Sequence, residues 1–105
     1  MVDIDYSSTA FLALETLQQD IAFGIVRLID YLGTHPEMGR FVQIRFAPDR
    51  RYPMLIYRGT HRVIYEFDAS EDRIYIGYVQ DCRQKLPSAR DLKRDMEPEG
   101  ELPLE

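Results

Sequence analysis

The chain has 105 residues, which is enough for one hydrophobic core and too few for a second domain of ordinary size. Its apolar fraction of 45% and charged fraction of 30% are typical of a globular protein and exclude a chain that is disordered throughout. The net charge of −5 is unevenly placed. Residues 40–62 carry six arginines against Asp49 alone, whereas residues 91–105 carry six carboxylates against Lys93 and Arg94.

Cysteine content and hydropathy predict a protein of the cytoplasm. The single cysteine, Cys82, excludes an internal disulfide, and a chain this small in an oxidising compartment usually needs several. Asp3 and Asp5 near the first residue are unlike a signal peptide. The longest apolar stretch, residues 21–32, is too short and too polar to span a bilayer. We therefore expect no membrane contact.

The N-terminal third is predicted to be a short strand followed by a helical segment. Val2, Ile4 and Tyr6 alternate with polar residues, which is typical of a half-exposed strand. Apolar residues then recur every three or four positions and form one continuous helix face, which we expect in the core: Phe11, Leu14, Leu17, Ile21, Ile25, Leu28 and Leu32. Gly24 indicates either close packing or a break between two shorter helices.

After Pro36 the apolar period changes to two, which predicts strands. We expect them at residues 41–46, 54–57, 61–67 and 73–79, joined by turns short enough to require antiparallel neighbours. Ser88 and Asp91 have the spacing of a capping box, which predicts a short C-terminal helix to about Met96. The fold class is therefore α+β, with the helical segment packed on a mainly antiparallel sheet of four or five strands. We assign residues 1–97 to the domain and residues 98–105 to an acidic flexible tail.

The cations are mostly arginines, which grip phosphate or carboxylate with a planar fork. Eleven of the thirteen basic residues are arginine. We predict that the following form a target-binding strip, although a solvated, salt-bridged sheet surface is equally consistent with the pattern: Arg40, Arg45, Arg50, Arg51, Arg58, Arg62 and Arg83.

No metal or cofactor site is predicted. His35, His61 and Cys82 lack the spacing of metal ligands, and the chain has no Gly-rich phosphate loop.

Three motifs occur in the order and spacing found in one family of small proteins. They are the turn 35–39 (HPEMG), the strand 61–66 (HRVIYE), and the strand 74–76 (IYI) followed by the exit 79–84 (VQDCRQ). Together they make residues 6–87 resemble the RelE/ParE family of bacterial toxins. The resemblance implies a toxin of a type II toxin–antitoxin module, of the kind that also stabilises plasmids, silenced by a co-expressed antitoxin.

The resemblance implies one of two activities. RelE-like members cut messenger RNA on the ribosome, and here Arg62, Arg83 and Arg45 would bind phosphate while His61 acts as the base. However, the lysines that such enzymes place on the middle strands are replaced around Leu55, and the tyrosine after the last arginine is missing. The exit at residues 81–84 is closer to the ParE-like members, which inhibit DNA gyrase by binding it.

We therefore predict a growth-arresting toxin that binds a target such as DNA gyrase and is neutralised by a cognate antitoxin. Ribosome-dependent mRNA cleavage is the enzymatic alternative, so catalysis is left open. A third alternative is a non-toxic interaction module on the same fold. A homodimer and a toxin–antitoxin hetero-oligomer are both compatible with the sequence.

Overall fold

A computed structural model describes residues 2–43, 51–88, 90–92 and 96, with the backbone alone for residues 40–43 and 51. The elements in chain order are β1 (Asp3–Tyr6), α1 (Ser8–Thr16), α2 (Gln19–Leu32), β2 (Arg40–Gln43), β3 (Arg51–Tyr57), β4 (His61–Asp68) and β5 (Arg73–Asp81). They form one sheet of order β1-β5-β4-β3-β2. Residues 48–50 of the turn expected after the first predicted strand, the end of that strand and the tail 98–105 lie outside the described residues.

The sheet is mainly antiparallel, as predicted. β2, β3, β4 and β5 pair in sequence as antiparallel neighbours, whereas β1 pairs in parallel with β5 at the edge. A parallel pair needs a long crossover. β1 meets that requirement because both helices and three strands separate it from β5 in the chain. The chain is thus α+β with a five-stranded mixed sheet.

The predicted single helix face is wrong at its N-terminal end. Leu17 and Gln18 are extended, with ψ of 158° and 143°, so the segment is two helices rather than one. α1 packs over β5 and α2 over β3, and the break changes which side of α1 meets the sheet. Phe11 is therefore 55% exposed, while Ile25, Ile29 and Leu32 of α2 are fully buried. Gly24 lies inside α2, where its missing side chain leaves room for the Tyr57 ring.

Both faces of the sheet are covered, which is why every residue from His61 to Tyr65 is buried. Val63 and Tyr65 point towards α1 and α2 and belong to a helix-side core. Ile64 points the other way, into an outer-face core formed with Tyr52, Tyr75, Tyr78, Leu92 and Met96. A β-bulge at Gly77 shifts the alternation of β5, so Tyr75 and Tyr78 share that outer face.

The C-terminal segment begins with the predicted capping box. The Asp91 N–H donates to Ser88 Oγ at 3.1 Å, and the Ser88 N–H donates to Asp91 Oδ2 at 3.4 Å. The Tyr78 hydroxyl donates to the Asp91 carbonyl at 2.9 Å, which ties the segment to β5. Leu92 and Met96 are 2% and 3% exposed, so the segment covers the outer face of the sheet.

None of the helices in the described ranges has the length and apolar character needed to cross a membrane.

Candidate functional site

The predicted site residues whose side chains the structure describes lie at one end of the sheet, where β4 begins and β5 ends. His61 pairs with Asp81 and Arg62 pairs with Gln80 in the strand register. Arg83 follows directly after β5, and Arg58 lies in the turn before β4. These four residues are therefore near one another along the chain ends of β4 and β5, and the face of the sheet on which each side chain lies decides what they can do together.

The structure does not describe the side chains of the four other arginines of the predicted strip. Arg40 pairs with Met54 and Arg51 pairs with Gln43 through the backbone. The side chains of Arg40 and Arg51, and all of Arg45 and Arg50, lie outside the described residues.

The Arg62 guanidinium donates hydrogen bonds to groups within this chain. Its side chain is on the outer face of the sheet, and the residue is only 7% exposed. Nε donates to Gln80 Oε1 at 3.0 Å, Nη1 to the Cys82 carbonyl at 3.3 Å and Nη2 to the Gln84 carbonyl at 2.5 Å. Three of the five N–H donors of a guanidinium are thereby used to hold the loop after β5.

Arg83, unlike Arg62, is exposed. Its side chain is 91% exposed, and Nε and Nη2 donate to the two carboxylate oxygens of Asp81 at 3.1 and 2.9 Å. The Arg83 N–H also donates to Asp81 Oδ1 at 2.8 Å. These bonds from Arg83 hold the pKa of Asp81 well below its usual range, with a smaller contribution from the nearby His61. An exposed pair of this kind contributes little stability, so Arg83 is free to exchange Asp81 for another anion.

His61 and Arg62 lie on opposite faces of the sheet, because successive strand side chains alternate. His61 is 9% exposed, and its Nδ1 lies 2.8 Å from the Thr60 hydroxyl. The structure therefore does not bring the predicted base and Arg62 together on one surface.

The outer face of β3 beside Arg62 is apolar. Ile56 is the register partner of Arg62 and is 47% exposed, and Met54 lies two residues earlier on the same side. These two residues, Met38 and Leu55 line a shallow hollow of about 360 Å³. Leu55 itself is buried in the helix-side core. An apolar surface of this kind suits contact with another protein better than contact with phosphate.

A larger groove lies on the helix side, between α2 and the β3–β4 turn. It has a volume of about 800 Å³ and is lined mainly by Asp20, Ile21, Phe23, Arg27, Tyr57 and Arg58. Sequence reasoning missed Phe23 and Arg27, because both fall outside the apolar stripe of α2. The available signal was a large aromatic residue on the polar side of that helix.

Two backbone features place Arg58 at the mouth of this groove. Arg58 and Gly59 have φ of 50° and 71°, which makes the β3–β4 connection a tight turn. The Arg58 guanidinium carbon lies 5.5 Å from the centroid of the Tyr57 ring.

Within the described part of the chain, no group of three or more His, Cys, Asp or Glu side chains is placed to hold a metal ion.

No family model and no curated protein matches the sequence. Several solved structures match the fold. The isolated E. coli RelE toxin has a TM-score of 0.64 and 14% identity, with 90% of this chain and 98% of RelE covered. A chain of the intact E. coli RelBE toxin–antitoxin complex has a TM-score of 0.64 and 13% identity, with 80% and 100% covered. A chain of the Mycobacterium tuberculosis RelBE2 toxin–antitoxin complex has a TM-score of 0.61 and 22% identity, with 76% and 96% covered.

At these identities the comparison establishes the architecture. The chain has the fold of the RelE toxins, as the resemblance of its motifs implied.

Proposed function

We propose that this chain is the toxin of a two-protein toxin–antitoxin module and that a cognate antitoxin silences it by binding. The observation that carries the proposal is the match to RelE along 98% of the RelE chain. Two of the matching structures are toxin–antitoxin complexes, which supports an antitoxin as the physiological partner.

We further propose that the toxin acts by binding its target, with DNA gyrase as the first candidate. Arg62 is buried and used inside the fold, and His61 lies on the other face of the sheet. The exposed part of β3 next to Arg62 offers Met54 and Ile56 rather than cations. Binding requires an exposed complementary surface and no tuned acid and base, and the apolar outer face of β3 meets that requirement.

Growth after induction tests the proposal. We expect the wild-type chain to stop colony formation in a bacterial host and Ile56→Glu, at matched abundance, to restore it, because a charge at the centre of an apolar contact opposes burial. Leu12→Glu, at a residue that is 59% exposed on α1, is the control and should remain toxic. Purified wild-type chain should then inhibit gyrase supercoiling while a cell-free translation reaction continues. Normal growth with abundant soluble wild-type protein would refute the toxin role and favour a non-toxic module.

Ribosome-dependent mRNA cleavage is the second candidate. It is favoured by the match to RelE toxin structures and by the exposed Arg83, which pairs with Asp81, the strand partner of His61. Primer extension on mRNA bound to ribosomes distinguishes the two candidates. Cleavage by the wild-type chain that is lost in Arg83→Ala and His61→Ala would replace gyrase binding with this activity.

A further inference from the structure

The groove between α2 and the β3–β4 turn combines an exposed aromatic ring with two arginines. Phe23 is 65% exposed, the most exposed large apolar side chain of the described residues. Arg27 lies one helical turn further along α2, on the same side of the helix as Phe23. Arg58 faces this helix from the turn.

The arginines of the groove have no carboxylate partner among the described residues. The ion pairs there are Arg73 with Asp5 and Arg83 with Asp81, and neither involves Arg27 or Arg58. Aromatic and arginine side chains are the residues that most often dominate the energy of protein interfaces. The groove therefore has an apolar anchor point with two free cations at its edge.

Charge decides which class of polymer suits the groove. Asp20 lies at the start of α2, seven residues or about 10 Å along the helix from Arg27, so the cationic end of the groove is local. The whole chain carries −5 and residues 1–90 carry −1, so the molecule has no overall positive charge to attract a polyanion such as RNA. A protein segment with one or two carboxylates needs only the local pair of guanidinium groups.

We propose that this groove binds a segment of the antitoxin that presents an apolar side chain to Phe23 and Tyr57 and a carboxylate to Arg27 and Arg58. This inference rests on the proposed function for the identity of the partner. It assigns the contact to the helix side of the molecule, away from the outer face of β3 that we propose for the target.

The test uses the purified chain and the small protein encoded by the adjacent reading frame, with affinity measured by isothermal titration calorimetry. We expect Phe23→Ala, and separately the double variant Arg27→Glu with Arg58→Glu, to weaken binding about ten-fold or more. Matched controls are Phe11→Ala, which trims an exposed ring on α1, and Arg90→Glu, which reverses an exposed arginine. Both controls should bind as the wild type does. Exchanging an acidic residue of the partner for arginine should restore affinity for the double variant.

Growth measurements on the same variants separate the two proposals. Groove variants that still arrest growth but are no longer neutralised by the partner support the groove as the antitoxin site. Equal affinities for the wild type and the groove variants, or weakening by Phe11→Ala instead, would overturn it while the toxin role stands. Folded groove variants that no longer arrest growth would indicate that the groove binds the target or RNA. That result would also overturn the proposal that it binds the antitoxin. A wild-type chain that binds the partner without arresting growth refutes the toxin role. The affinities of the groove variants then test only whether the groove is the binding site for that partner. If the wild-type chain does not bind the partner, the proposal that the groove is an antitoxin site is overturned.

Discussion

Arg62 and Arg83 were both predicted from the sequence to bind the target, but the structure places them in different environments. Arg62 is buried and donates to one side chain and two backbone carbonyls, whereas Arg83 is exposed and pairs with a carboxylate two residues away. The sequence could predict that both lie near the end of the sheet, because the strands are marked by their alternation. It could not predict the burial of Arg62, because its acceptors are 18 to 22 residues away and become neighbours only when β4 pairs with β5.

Removal of the Arg62 side chain should destabilise the whole domain. Arg62→Ala removes three hydrogen bonds from a charged group and leaves their acceptors without partners, so we expect a loss of about 3 kcal/mol in the free energy of unfolding. Arg62→Lys should lose much of the same amount, because an ammonium group cannot reach three acceptors arranged around a planar fork. Urea unfolding measures both changes.

Arg83→Ala is the control for Arg62 and should leave the free energy of unfolding nearly unchanged, because its side chain is exposed. If Arg62→Ala were as stable as Arg83→Ala, the internal role of Arg62 would be refuted. The comparison also matters for activity, because lost growth arrest in Arg62→Ala would report unfolding, whereas in Arg83→Ala it would report a lost contact.

Tyr6 should make the domain sensitive to alkali. Burial, and then the negative charge of Asp30, raise the pKa of Tyr6 from 10.0 to about 12. The folded state therefore holds this proton more tightly than the unfolded state. The corresponding stability is fully present below pH 10 and is lost as the pH rises from 10 through 12.

Urea titrations at pH 8, 10 and 11.5 should show a smaller alkaline loss of stability in Tyr6→Phe than in the wild type. Part of the loss should persist, because burial also raises the pKa of Tyr65. Tyr31→Phe, at a half-exposed ring on α2, is the control and should behave as the wild type does. Identical alkaline curves for Tyr6→Phe and the wild type would contradict this account.

At the scale of elements, sequence patterns predicted the turns and helix caps, which depend on interactions between residues close in the chain. The β3–β4 turn at Arg58 and Gly59 was predicted from its residues, and the capping box at Ser88 formed as its spacing indicated. A break between two helices was considered at Gly24, but its position at Leu17 and Gln18 was not predicted, because these two residues carry no turn signature. The apolar spacing runs through the break without interruption. The break depends instead on α1 and α2 packing over different strands, which is a tertiary effect. The parallel pairing of β1 with β5 is equally non-local.

Ser7 should be the most sensitive of the helix caps. Its hydroxyl accepts from the Ala10 N–H at 3.0 Å and donates to the Gly77 carbonyl at 2.7 Å, and the residue is 2% exposed. Ser7→Ala loses the N-cap of α1 and the link from α1 to the bulge in β5. We expect a loss of about 2 kcal/mol, which is roughly 10 °C in Tm for a domain of this size. Ser88→Ala removes an exposed cap and should cost about 0.5 kcal/mol. Equal shifts in Tm would show that the contact with Gly77 adds nothing.

At the scale of the whole molecule, the two faces of the sheet are closed by different parts of the chain. The helices cover one face, and Leu92 and Met96 cover part of the other. Met96 packs so closely on Gly77 that a side chain at residue 77 would overlap its sulfur. The acidic carboxyl-terminal residues that dominate the net charge follow Met96, so charge and core are separated along the chain.

Two truncations test whether the domain ends where the sequence predicted. A chain ending at Glu97 keeps Leu92 and Met96 and loses three glutamates, which changes the net charge from −5 to −2. It should unfold at the same urea concentration as the full chain, because no described core residue is removed. A chain ending at Pro87 uncovers Tyr52, Ile64, Tyr75 and Tyr78 and loses two buried side chains, each worth about 1.5–3 kcal/mol. That sum is a large part of the stability of a small domain, so we expect an aggregating or largely unfolded product.

Circular dichroism and size-exclusion chromatography distinguish a folded monomer from an unfolded or aggregated product for both truncations. A stable, monomeric chain ending at Pro87 would mean that the outer-face core is dispensable, whereas instability of the chain ending at Glu97 would extend the domain into the acidic residues.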